Sequence, residues 1–411
     1  MAIPDVALSQ LHYWIPDMVS TLNRSGLICV SHLRWDFVYQ RPQHLLSRVA
    51  KEREVVYFEE PTFRSTQAPS LEISQPLPGL TRIIPVLPGD MESHHAQEAQ
   101  ARLLERYVNT TEITRYDLWY YTPMGTKVTK YLKPEIVIFD CMDELSAFLG
   151  APPELRELEQ KLLKRADVVF TGGASLYESK CLQHANVHCC PSSIDRGHFA
   201  QARQGVVEPD DQKAIPHPRV GFYGVVDERF DTALVSQLAE LRPDLHFVII
   251  GPVVKIDAAS LPQATNIHYL GKRDYDELPR YLSGWDVAML PFAHNAATRF
   301  ISPTKTPEYL AAGCPVVSTS IKDVVRPYGE MGIISIADTA EAFSQAIDFE
   351  VTRRDDHGWQ EKVQNLLSKT SWDITWSYMS SAIETARESE AAMPSVSMRV
   401  PASSGRTLSA S

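Results

Sequence analysis

The chain has 411 residues, of which 44% are hydrophobic, and 40 Lys and Arg stand against 51 Asp and Glu for a formal charge of −11. The length and apolar content suffice for two or three full cores, and the acidic balance excludes a general nucleic-acid or anionic-membrane binder, which needs a basic footprint. Six cysteines without a C-x-x-C pair predict buried free thiols in a reducing compartment. The absence of any apolar run near ~18 residues, and of a basic start and apolar centre in residues 1–24, predicts a cytoplasmic protein.

Residues 1–25 read as an extension. Within it, 11–22 is amphipathic but broken by Pro16, with no Lys or Arg before Arg24, so packing on the first domain is expected rather than a membrane-surface helix. From residue 26 strand and helix alternate. Gly26–His32 is a buried strand run, 42–51 a helix and Glu54–Phe58 a strand. Thr81–Leu87, Leu118–Tyr121 and Glu135–Phe139 are further strand candidates, then a helix over 153–165, a strand over Asp167–Phe170 and a helix over 174–183. Short apolar runs between helices indicate a parallel sheet covered on both faces. This first domain spans 26–205. Residues 206–218, with Glu208-Pro-Asp-Asp211, Pro216 and Pro218, lose periodicity and read as a linker.

A second series over 219–370 repeats the pattern, beginning at Arg219–Gly224 and including strands His246–Ile250, Asn266–Leu270, Asp286–Leu290 and Gly332–Ile336. Residues 371–388, with three aromatics in Trp372–Tyr378, suit a helix packed across an interface, and 389–411, rich in Ser, Ala and Pro, read as a disordered tail. The expected architecture is therefore α/β, with two doubly wound Rossmann-like parallel-sheet domains facing a cleft, where ligands lie outside the carboxyl ends of the strands.

The most informative stretch is Arg299–Thr319: loop, short helix, buried strand. Thr304 or Thr306 is placed to N-cap, Gly313 to end the helix, and Pro315 to start the strand. Lys305 and Glu308 then share a face in the first turn. A phosphate there meets a cation and the helix dipole, while Glu308, an acceptor only, suits a ribose diol. Phosphate plus diol describes a nucleotide.

Three further segments face the same cleft. The loop His32–His44 is dense in polar side chains (His32, Arg34, Asp36, Gln40, Arg41, Gln43), a composition suited to a sugar. Phe139–Glu144 places Asp140 and Asp143 at a strand's carboxyl end, where paired carboxylates either supply a general base or cap a helix. Gly221–Asp231 follows the first strand of the second domain, with Gly224 in a tight turn and Arg229 beyond it. The thirteen histidines form no H-E-x-x-H spacing and no G-x-S-x-G elbow is present, so no metal or serine nucleophile is expected.

Taken together, Glu308, Gly313 and Pro315-Val316-Val317 resemble the nucleotide end of bacterial glycosyltransferases of the GT-B fold, family 4-like (group 1). His32–His44 resembles the R-W-D-F-x-x-Q-R-P-Q-H block of a subgroup linked to cell-surface polysaccharide. The resemblance covers about residues 26–380 and includes Leu270–Leu278 and Trp285–Pro291. It implies a UDP-type sugar donor, a glycan or lipid-linked glycan acceptor, no metal or other cofactor, no obligate protein partner, and a place in the cytoplasm or at the inner face of the plasma membrane. Gly224, Arg229, Arg299, Lys305 and Glu308 would serve the donor; His32, Asp36 and Asp143 catalysis; Arg34, Gln40, Arg41, Gln43 and Asp140 the acceptor and sugar. Two departures stand out. Val225 replaces the Arg that relatives carry after the second glycine, and Phe300 replaces the first Glu of E-x7-E, so retention of configuration is implied by resemblance alone. A nucleotide-sugar epimerase of the same fold and a non-catalytic nucleotide- or sugar-binding scaffold are the alternatives.

Overall fold

The computed structural model describes residues 25–392. The expectations for the N-terminal extension and for 393–411 therefore lie outside the described residues. The first sheet contains β1 (Gly26–Val30), β2 (Val55–Phe58), β3 (Thr62–Arg64), β4 (Ser70–Leu77), β5 (Leu80–Pro88), β6 (Tyr116–Tyr120), β7 (Val137–Cys141), β8 (Val168–Thr171) and β9 (Val187–Cys189). Its order is β3-β5-β2-β1-β6-β7-β8-β9, with β4 paired to β5. The second contains β10 (Arg219–Tyr223), β11 (His246–Ile250), β12 (Ile267–Gly271), β13 (Val287–Leu290), β14 (Val316–Ser318) and β15 (Ser335–Ile336), ordered β12-β11-β10-β13-β14-β15.

Each central strand is apolar at consecutive positions because helices cover both faces. In β1, Leu27 and Cys29 pack into one core while Ile28 and Val30 pack into another on the opposite side of the sheet. The second sheet is built the same way, with Phe222 on one face and Tyr223 on the other. Gly221, in the middle of β10, is required by packing: a Cβ there would lie 2.0 Å from the buried ring of Trp285.

Four features differ from the sequence reading. β4 runs antiparallel to β5, joined through Gly79 at φ +78°; the half-polar Ser70-Leu-Glu-Ile-Ser-Gln-Pro-Leu77 hides this edge strand because both its faces are largely in solvent. An 18-residue helix, Ser93–Thr110, follows, burying Ala96, Ala101, Leu103, Leu104 and Val108 beneath a polar face. The linker is structured: Gln212 in helix Asp210–Lys213 is buried, donating to the Tyr281 carbonyl at 2.9 Å and accepting from the Trp285 indole at 2.8 Å. Cys181 is exposed, whereas Cys29, Cys141, Cys190 and Cys314 are buried as free thiols.

The last helix, Trp372–Ala392, returns from the second domain to the first and runs four residues beyond 388. Trp372, Trp376, Met379 and Ile383 join the core beneath β1 and β6. Asp323 of the second domain reaches the other way, its carboxylate accepting from the Ser175 amide at 3.0 and 3.3 Å, where helix Ala174–Lys180 begins. These crossings hold the carboxyl ends of the two sheets toward each other.

Candidate active site in the interdomain cleft

A cavity of about 520 Å³ lies between those ends, within the size range of small-molecule sites. The second-domain wall starts with two glycines at the ends of neighbouring parallel strands. Gly224 has φ +143° and Gly251 φ +146°, and a Cβ on Gly251 would stand 1.8 Å from the Gly224 carbonyl oxygen. The missing side chain of Gly251 lets the two backbones pass close together, and that of Gly224 leaves room for Lys305, whose Nζ stands 5.8 Å from the Phe222 ring centre.

Lys305 and Glu308 lie on one face of helix Lys305–Ala311, and both line the cavity. Neither Thr304 nor Thr306 caps this helix through its side chain, contrary to the sequence reading; the Thr306 hydroxyl is buried without a partner among the described residues. Glu308, 6% exposed, accepts a hydrogen bond from the Tyr223 hydroxyl. Burial raises its pKa to about 7, opposed by that bond and by Lys305. Burial and then the Arg229 charge lower Lys305 to about 8, opposed by Glu308. Two buried groups whose pKa values are both moved toward neutrality in a cleft mark a candidate functional site. Arg229 is tied to Asp227 through Nε at 2.9 Å and Nη2 at 2.7 Å, with its guanidinium 5.1 Å from the ring centre of Phe148 on the first domain.

On the first-domain side, Asp143 follows β7 and borders the cavity. Burial raises its pKa to about 6, with the Arg229 charge opposing. Gln40 also lines the cavity. Asp36 stands at its exposed rim, paired with Arg82, and its carbonyl accepts from Lys272 of the second domain at 3.3 Å.

Several polar residues of this loop do structural work instead. Gln43 donates to the Trp35 and Val38 carbonyls at 2.7 and 3.1 Å and accepts from the Gln40 amide at 3.1 Å, so its amide is spent on holding the loop. Arg34 is outside the cavity, bound to Glu59 at 3.1 Å and to the Pro61 carbonyl at 3.0 Å. Arg41 and Asp140, 1% and 0% exposed, form a buried ion pair at 2.9 Å; Arg41 also donates to the Cys190 carbonyl at 2.8 Å. Arg41 and Gln43 nevertheless border the cavity, with these polar atoms engaged inside the protein. Asp140 does not line the cavity.

His32 is likewise set back from the cavity lining. Its Nδ1 is buried without a partner among the described residues, and burial together with Lys255 lowers its pKa to about 4, so the ring is neutral at pH 7. Arg299 is exposed, its guanidinium 5.1 Å from the Phe300 ring centre, and does not line the cavity. Phe300 itself packs against the first-domain core with Leu176 and Cys141. Conversely, Tyr223 and Tyr275 line the cavity without having been singled out, and Phe148 faces Arg229 beside it. The signal for Tyr223 was present: a phenol closing a fully buried strand needs a polar partner within reach.

Comparison with solved structures decides the architecture. A Burkholderia xenovorans α,α-trehalose-phosphate synthase (UDP-forming) with glucose-6-phosphate matches at TM-score 0.65 and 14% identity, over 88% of this chain and 100% of that one. Sucrose-phosphate synthase from Thermosynechococcus elongatus matches at TM-score 0.63 and 14% identity, over 90% and 100%. An E. coli structure described as trehalose-6-phosphate bound with UDP-2-fluoro glucose matches at 0.62 and 13%, over 88% and 99%. The fold is GT-B.

In sequence, residues 217–349 match the profile of the family described as Glycosyl transferases group 1. The chain is 25% identical over 234 residues to the putative teichuronic acid biosynthesis glycosyltransferase TuaH of Bacillus subtilis, covering 51% of this chain and 58% of that protein. The matched GT-B region thus holds the second-domain wall of the cavity, with Gly224, Arg229, Lys305 and Glu308.

Proposed function

We propose that this chain is a glycosyltransferase that moves a sugar from a nucleoside-diphosphate sugar, with UDP as nucleotide, to a hydroxyl of a glycan or lipid-linked glycan of the cell envelope. One observation carries the reading: Lys305, Arg229 and Glu308 line one wall of the interdomain cavity while Asp143 and Asp36 line the other. The UDP-2-fluoro glucose of the E. coli neighbour and the teichuronic acid role given for the Bacillus relative support the donor and acceptor classes.

In this reading Glu308 accepts from the ribose diol, and Lys305 and Arg229 meet the diphosphate. As the C1–O bond to the diphosphate breaks, charge develops on the leaving group, and the two cations stabilise it in a site shielded from water. The acceptor oxygen forms the new bond to C1, and its proton goes to a carboxylate, for which Asp143 is the candidate, being mostly ionised at pH 7. Asp36 positions the acceptor at the rim. The reaction needs no metal, and the protein acts in the cytoplasm or at the inner face of the plasma membrane.

Release of UDP from a panel of UDP-sugars, with and without short envelope glycans and with a chelator present, tests this. Acceptor-dependent release unaffected by the chelator is expected, with Asp143→Asn slowing release while UDP affinity is kept. Interconversion of a donor sugar without an acceptor would indicate an epimerase instead, and UDP binding without any turnover a scaffold.

A further inference from the structure

The ring of Tyr275 sits where three parts of the chain meet. It stacks on Tyr39 of the first-domain loop, centroids 4.6 Å apart, and on His198 of helix Arg196–Ala200, at 4.3 Å with 9° between the planes. His44 and Phe199 lie edgewise to it at 5.5 and 5.6 Å. A phenol clamped in this way carries its hydroxyl to a fixed point, and Tyr275 and Glu308 both line the cavity.

The two phenols nearest Glu308 in the second-domain core are engaged. The Tyr223 hydroxyl donates to Glu308, and the Tyr309 hydroxyl accepts from the Tyr223 amide at 3.0 Å. The Tyr275 hydroxyl is buried and has no partner among the described residues. Burial, and after it the Glu308 charge, push its pKa up, so it is an un-ionised donor at physiological pH. Leaving such a group unsatisfied is costly unless a ligand completes it.

We propose that Tyr275 is a specificity-determining residue for the nucleotide, its hydroxyl hydrogen-bonding to the ribose diol that Glu308 receives and so selecting ribonucleotides over deoxyribonucleotides. The inference rests on the nucleotide reading above and adds a second contact to the same sugar. It accounts for the aromatic stack: the first domain contributes Tyr39 to hold a second-domain side chain at the cavity wall. A site built to pair with a hydroxyl rejects the analogue lacking it, because its own buried polar group is then left alone.

Calorimetric titration of wild type and Tyr275→Phe with UDP, 2′-deoxy-UDP and 3′-deoxy-UDP tests this. The substitution keeps the ring and its stacking, and an unchanged melting temperature would verify that. The variant is expected to bind UDP about tenfold more weakly, and the wild-type preference for UDP over at least one of the deoxynucleotides is expected to shrink by the same factor. Wild-type affinity for UDP in the variant, or an undiminished preference against both deoxynucleotides, would overturn the assignment of Tyr275 alone. Failure of the wild-type protein to bind UDP would remove the nucleotide reading and this inference with it.

Discussion

Gly224 and Lys305 share one space: a Cβ on Gly224 would stand 2.1 Å from Cε of Lys305 and 2.6 Å from its Nζ. The glycine at the end of β10 is therefore the seat of the lysine, and its φ of +143° adds a second reason for the missing side chain. Gly224→Ala is expected to cost about 1–3 kcal/mol of stability through backbone strain and to displace the ammonium group. UDP titration of Gly224→Ala, Lys305→Ala and the double variant would show this as non-additivity, the second substitution adding little to the first. Full additivity would separate the two residues.

The Arg41–Asp140 pair makes a prediction of the opposite kind. Arg41→Met leaves a buried carboxylate alone and should cost about 3–5 kcal/mol in urea unfolding, whereas replacing both partners with Met and Leu should cost far less. A sugar-binding role would instead show as impaired transfer by a stably folded Arg41→Met protein.

Proton linkage separates Glu308 from Lys305. The Glu308 pKa is raised from 4.5 to about 7, so across that window the folded protein holds a proton that the unfolded chain has lost, and stability falls as pH rises. Asp143 adds to the fall between 3.8 and about 6. Lys305 is lowered from 10.5 to about 8; there the unfolded chain holds the extra proton, and stability rises with pH. Denaturant melts from pH 4.5 to 7 should thus show a decline that Glu308→Gln flattens. UDP affinity should weaken above pH about 8 as the ammonium deprotonates, and Lys305→Arg should abolish that loss.

Transfer and binding should part company at Asp36. It stands at the rim, away from Glu308, so Asp36→Asn is expected to impair transfer more than UDP binding. Equal loss of both would assign the loop to the nucleotide or to folding, the latter through the Arg82 pair.

Much of the second-domain wall was legible because it depends on local spacing. Lys305 and Glu308 are three residues apart on a short helix, so sequence alone puts them on one face. The first-domain loop was legible as polar but not as to where its polarity goes. Arg41 finds Asp140 ninety-nine residues away and Gln43 turns back to carbonyls of its own loop, and neither partner is encoded in local pattern. The same limit hid Tyr275, whose place depends on Tyr39 and His198, far from it in the chain. β4 was missed because a solvated edge strand lacks the apolar run that marks a central one.

Binding of a nucleoside diphosphate in the cleft through Glu308 and its neighbours would register in calorimetric titration with UDP, GDP and ADP, first without metal and then with magnesium. Saturable, metal-independent binding of UDP is predicted, weakened at least tenfold, about 1.4 kcal/mol, by Glu308→Ala. Binding of none of the three, or UDP affinity unchanged in Glu308→Ala, would contradict it.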